Sequence, residues 1–310
     1  MKDGFLRVGA ASPKIRVADI DFNAEQIISC VKNADKDCAL LVFPELCVTG
    51  CTCGDLFRQE AFIDHAWEAL YRIAEETSDA PQVFIIGLPA YIEGKLLNLA
   101  VVLHEGILLG CNVKLTLSEE QSRYFSPYEI DGSFYDEYFD EEISFGQPLY
   151  FSDNDLFSFG VIFDEDLRAP ISDDVDMALA GCQIIATLSS RPYIVGATEK
   201  TSSLLSAQSR KLHAAYIYAN VIHSMPRIVL INKFYHIFKA FSITEKDFSK
   251  SAPSKWVMLL EENLETLLSM SIAFVRTNTE LAESKPLYKQ KRARVKGNKF
   301  FYSCSVRFCR

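Results

Sequence analysis

Long apolar runs are missing from this 310-residue sequence. Uninterrupted hydrophobic stretches such as Ala39–Phe43 fall far short of the ~20 residues that a membrane span requires, so no membrane association is expected. Met1-Lys2-Asp3-Gly4 leads into no apolar segment of the secretory type, and the chain reads as cytoplasmic. Its nine cysteines include no Cys-x-x-Cys, and without an export signal they are expected to be reduced. Cys47, Cys51 and Cys53 raise the question of a metal site, but no neighbouring histidine completes a ligand set. They read as loop and core thiols, and neither metal nor cofactor is expected. No two glycines are adjacent, so no glycine-rich nest is available for a pyrophosphate and no ATP site is expected. No internal repeat occurs at a fixed period.

What is present is ordinary globular material: 49% hydrophobic and 24% charged residues, enough for a sizeable core. The net charge of −9 is unevenly spread. Residues 285–310 hold nine Lys or Arg and no acid, which leaves residues 1–284 with 23 basic and 41 acidic residues, or −18. The chain divides accordingly into a 1–284 body and a 285–310 basic tail, read as solvated. Residues 129–142 carry seven acids and no base among four aromatic residues, and read as an exposed loop anchored by its rings.

Short apolar runs at Phe5–Ala11, Ala39–Phe43, Gln82–Gly87, Phe157–Phe163, Gln183–Leu188 and Pro226–Asn232 predict strands. Asn98–Leu103 and Ile107–Cys111 flank His104-Glu105-Gly106 as a hairpin. Helical spacing marks Asn23–Ala34, Leu56–Thr77 and Thr198–His223. This alternation predicts a layered α/β domain, and the hairpin makes its sheet mixed.

Val42-Phe43-Pro44-Glu45-Leu46-Cys47-Val48-Thr49-Gly50, with Cys53-Gly54-Asp55-Leu56-Phe57, is the most informative stretch. It sets Glu45 just past a buried strand, at the sheet edge where α/β sites form. The stretch resembles the first signature of the nitrilase (carbon–nitrogen hydrolase) superfamily, and more narrowly the glutaminase domain of the glutamine-dependent NAD synthetases, FPELCLTGYTCGDLF. Residues 94–109 resemble that family's lysine-presenting hairpin, so Lys114 falls on its lysine. Phe159–Leu167 (FGVIFDEDL) resembles its third signature, FGVEICEDLW. The likeness covers about residues 5–220. It implies a four-layer α-β-β-α sandwich with two mixed sheets.

The family's chemistry uses a cysteine nucleophile, a glutamate as general base and acid, and a lysine that stabilises the oxyanion. Glu45 and Lys114 match the last two. At the nucleophile's position stands Asp164, a weak attacker of unactivated amides. A carboxylate there needs a cation, and Lys114 is its expected partner. Cys182, entering the next strand at the opposite end, does not substitute. The resemblance also assigns pocket positions to Glu165, Arg191 and Tyr193. The last two replace a serine and a glutamate that help hold the glutamine backbone groups.

The expectation is therefore a stand-alone glutaminase-type domain that is catalytically inactive because Asp164 stands at the nucleophile's position: a pseudoenzyme with a regulatory or assembly role linked to NAD biosynthesis. It would bind glutamine or another small amide weakly, partner an NAD synthetase, and form a homo-oligomer by analogy. Two rival readings stay open. One is a residual amidohydrolase on another amide, since Glu45 and Lys114 are kept. The other is a nucleic-acid or acidic-partner binder working through the basic tail.

Overall fold

The computed structural model describes residues 5–127, 132–146, 149–153, 157–192, 194–221, 227–229, 270–276, 291–292 and 301–305. Its strands are β1 (Phe5–Ala11), β2 (Cys38–Val42), β3 (Val83–Ile92), β4 (Lys95–His104), β5 (Ile107–Val113), β6 (Gly132–Asp136), β7 (Glu141–Gly146) and β8 (Leu149–Asp153). They continue with β9 (Phe157–Phe163), β10 (Ile184–Leu188), β11 (Ala215–Ala219), β12 (Arg227–Val229), β13 (Met270–Arg276), β14 (Lys291–Arg292) and β15 (Phe301–Ser305). The helices are α1 (Ile20–Asn33), α2 (Glu60–Glu76), α3 (Asp164–Leu167), α4 (Asp174–Leu179) and α5 (Ala197–Leu212).

Two mixed sheets form, in the orders β13-β1-β2-β3-β4-β5-β7-β6 and β12-β11-β10-β9-β8-β15-β14. Strand periodicity places them face to face. Along β2, Leu40 and Val42 point into the core between the sheets, while Leu41 and the following Phe43 point into the core beneath α1 and α2. On β11, Ala215, Ile217 and Ala219 join the inter-sheet core while Tyr216 and Tyr218 meet the α4 and α5 side. Both faces of the central strands are thus covered, which is why their sequences are continuous apolar runs. The result is the α-β-β-α sandwich.

Capping and turn residues set the boundaries. Asp19 accepts the Phe22 N–H at the start of α1, satisfying one of that helix's unpaired donors. His213, at φ +55°, stops α5 by adopting the left-handed conformation. The helix expected over Thr198–His223 is therefore shorter. Ala215-Tyr216-Ile217-Tyr218-Ala219, rich in aromatic and β-branched residues, is instead a central strand parallel to β10.

Residues 129–142 are corrected too. Their described part is not a loop but the β6–β7 hairpin at a sheet edge. The anchor is polar as well as aromatic. Asp136 accepts Trp67 Nε1 at 3.1 Å and Tyr71 Oη at 3.0 Å, and Tyr138 stacks on Tyr71 at 4.4 Å. Of the basic tail, β15 pairs antiparallel with β8 and carries β14 at its other side, so these seven residues lie in the second sheet. The rest of 285–310, like most of Pro226–Asn232, lies outside the described residues. Among the described residues no helix is long and apolar enough to cross a membrane.

Candidate functional site

The carboxyl ends of β2, β9 and β10 and the end of β5 converge, and the residues that follow them deliver the charged side chains of the site. After β2 the chain turns at Pro44-Glu45-Leu46, with Leu46 at φ +50°. That turn lies directly against Gly87 of β3. A Cβ built on Gly87 would sit 2.4 Å from the Leu46 nitrogen and 2.8 Å from Glu45 Cα, so only glycine lets the two backbones approach this closely.

Glu45 is fully buried and saturated with donors. Its Oε1 accepts Asn98 Nδ2 at 2.7 Å, Lys114 Nζ at 2.7 Å and Gln121 Nε2 at 2.8 Å, and its Oε2 accepts Ser190 Oγ at 3.0 Å. Lys114, also fully buried, donates a second bond to Glu165 Oε2 at 2.5 Å. Burial alone would push its ammonium toward deprotonation. The Glu45 and Glu165 carboxylates outweigh that effect and hold its pKa above the ordinary lysine value.

Asp164, the first residue of α3, is buried and pairs elsewhere. Its Oδ2 accepts Arg168 Nε at 2.9 Å and Arg191 Nε at 2.7 Å, while its Oδ1 has no hydrogen-bond partner among the described residues. The expected Lys114–Asp164 pair does not form. Arg168 lies one helical turn beyond Asp164, the spacing at which side chains meet, and Arg191 arrives from the end of β10. Lys114 meanwhile is taken by two other carboxylates. Arg191 Nη2 also approaches Glu165 Oε1 at 3.8 Å. The structure thus brings together Glu45, Lys114, Asp164, Glu165 and Arg191; Tyr193 lies outside the described residues.

Supporting contacts fix the framework. Asp166 accepts the Thr116 and Leu115 N–H groups at 2.5 and 3.3 Å, tying α3 to the chain just beyond Lys114. Its burial raises its pKa to about 6 against those bonds. Tyr218 Oη donates to Ser189 Oγ at 2.8 Å, and Asn220 Nδ2 to the Arg191 carbonyl at 3.0 Å, so the end of β11 aims the Ser189–Arg191 turn.

Asn98, Gln121, Ser190 and Arg168 were not singled out from sequence. Asn98 did carry a signal: it is the lone polar residue in the otherwise apolar Leu96–Leu103 run of β4. Arg168 could have been found from its i+4 spacing. Gln121 had none, because it follows a stretch that departs from the family pattern.

Cys47, Cys53 and Cys182 stand outside this chemistry. Cys47 and Cys53 donate to the carbonyls of Gly87 and Thr49, and burial pushes their thiols up to about 12 and about 11. Cys182 is buried at the entry of β10, the end opposite Asp164 by the β9–β10 register.

Chemically, the arrangement holds a carboxylate and an ammonium in contact. The third position is a carboxylate clamped between two guanidinium groups.

Relatives of this chain include glutamine-dependent NAD(+) synthetases. That of Mycobacterium tuberculosis is 30% identical over 230 residues, covering 70% of this chain and 33% of its own. That of Thermotoga maritima is 26% identical, covering 72% and 37%. This chain therefore spans about a third of the length of these relatives. Among solved structures, a glutamine-dependent NAD(+) synthetase from Cytophaga hutchinsonii superposes with a TM-score of 0.62 at 24% identity, over 70% of this chain and 36% of that one. An amidase from Nesterenkonia sp. AN1, carrying an acetamide moiety on its active-site cysteine, superposes with a TM-score of 0.59 at 18% identity, over 73% and 82%. Residues 7–224, well over half of the sequence, match the carbon–nitrogen hydrolase family model, and the chain belongs to that family, within the nitrilase superfamily.

Proposed function

We propose that this protein is a glutaminase-type carbon–nitrogen hydrolase domain that no longer hydrolyses amides and serves as a binding or assembly partner in NAD biosynthesis. The observation that carries the reading is the pairing of Asp164. Its Oδ2 is engaged by both Arg168 and Arg191, so the group at the nucleophile's position is spent on a buried ion pair. Attack by it would in any case form an anhydride rather than a thioester, and carboxylate nucleophiles serve better leaving groups than an amide nitrogen. The partner is an NAD synthetase of the kind this chain resembles, the bound species glutamine or another small amide held weakly, and the assembly includes further copies of this chain.

The test is ammonia release from glutamine and from simple amides, with wild type and Asp164→Ala side by side. Background rates in both are expected. Turnover at enzyme-like rates that Asp164→Ala abolishes would overturn the proposal. The assembly role is checked by mixing the protein with the NAD synthetase of the same source and measuring complex formation by sedimentation.

A second reading, a residual amidohydrolase acting on another amide, draws on Glu45 and Lys114. They sit 2.7 Å apart and are supported by Asn98, Gln121 and Ser190, an order that a working general base and oxyanion donor would need.

A further inference from the structure

The side chain of Arg191 faces the reaction centre itself. Its Nε lies 2.7 Å from Asp164 Oδ2 and its Nη2 3.8 Å from Glu165 Oε1. Ser190, just before it, donates to Glu45. One short turn therefore touches all three carboxylates of the site. It is aimed rather than loose, since the Arg191 amide donates to Ser189 Oγ at 3.2 Å and its carbonyl accepts Asn220 Nδ2 at 3.0 Å.

Charge explains why a cation belongs there. Glu45, Asp164 and Glu165 face Lys114, Arg168 and Arg191, with Asp166 buried beside them. Without Arg191 these acids would outnumber their cations further, which the interior disfavours strongly. Asp164 supplies the anchor, and its fork-shaped partner spans to Glu165.

Resting on the silent-site reading above, we propose that Arg191 is an internal occupant of this site, anchored by Asp164, and that the two residues as a unit keep an amide from reaching position 164, leaving only the weak binding described there. A cysteine restored at position 164 alone would leave Arg191 in place. Glu165 still attracts the guanidinium, and a thiolate would attract it as well. The specificity of the site is then set by Arg191 as much as by the missing nucleophile.

A thiol at position 164 serves as the reporter. Asp164→Cys and Asp164→Cys/Arg191→Ser are alkylated with iodoacetamide over a pH series, and the label is mapped to position 164 by mass spectrometry. Two quantities are read: the plateau rate of the fully ionised thiol and its apparent pKa. Removing Arg191 should raise the plateau by at least about tenfold while moving the pKa up, because a guanidinium stabilises a thiolate. A higher pKa alone makes a thiolate more nucleophilic, by roughly threefold per unit, so only a plateau rise beyond that reports occupancy. Should the serine variant fold poorly, Asp164→Cys/Arg191→Lys replaces it. Lysine keeps the charge but lacks the planar fork, so the plateau should rise with the pKa staying low. A plateau in the folded variant no higher than that of Asp164→Cys corrected for this pKa effect overturns the inference. Ammonia release by wild type would instead overturn the silent-site reading, so the two failures are told apart.

Discussion

Lys114 holds two carboxylates in a fully buried setting, and its replacement shows what that arrangement is worth. Lys114→Met strands Glu45 and Glu165 without their cation, at a cost of ~3–5 kcal/mol. Adding Glu45→Gln should return part of the loss, because it removes one of the stranded charges; urea midpoints of the four proteins of this cycle measure the coupling. Asp166 gives a pH signature. Its ordinary pKa of 3.8 is raised by burial to about 6, so the folded protein holds this proton more tightly than the unfolded chain. The stabilisation is fully present below pH 3.8 and is lost as pH rises through about 6. Two units correspond to ~3 kcal/mol. Asp166→Asn should remove this dependence, so its stability relative to wild type improves from pH 4 to pH 7 by roughly that amount, read from urea titrations at each pH.

At the scale of elements, the turn after β2 depends on what β3 leaves out. Gly87→Ala puts a methyl group against backbone atoms of Leu46, Glu45 and Pro44, none of which is the yielding end of a side chain. The strands must part, with a loss of about 3 kcal/mol or more. Thermal melts measure that loss, and hydrogen exchange should rise first at the Glu45 turn. The signature motif made Glu45 and its turn legible in the sequence, and the apolar runs delivered β1, β2 and β9 nearly to the residue. The end of α5 was not legible. His213 ends the helix in the left-handed conformation, yet it is neither the glycine nor the asparagine that usually marks such a stop. The β6–β7 hairpin was hidden for a different reason. Its stability comes from Asp136 gathering donors on α2, far away in sequence. In the site itself, motif matching gave positions but not partners. Lys114 takes both its carboxylates from other elements, and Asp164 adds Arg191 from the end of β10 to the Arg168 of its own turn, a choice made by distance in the folded state.

Across the whole molecule, the sandwich is joined by more than apolar contact. Asn112 of β5, in the first sheet, sends Nδ2 to the carbonyls of Leu149 on β8 and Val161 on β9, at 3.1 and 3.0 Å, both in the second sheet. It is fully buried, and its own Oδ1 has no partner among the described residues. The net worth of this bridge follows from weighing those terms. Asn112→Leu loses two bonds of ~1 kcal/mol each but also removes the unsatisfied oxygen, so the expected loss is only ~1–2 kcal/mol. Asn112→Asp keeps the shape and reverses the effect. It offers no donor to the two carbonyls and buries an acid against them, at a cost of ~3 kcal/mol or more unless the acid is protonated. Its deficit should therefore shrink at low pH, while that of the leucine variant stays constant. Urea midpoints at two pH values distinguish the cases, and an equal loss in both variants would show that packing volume, not the amide donors, holds the two sheets in register here.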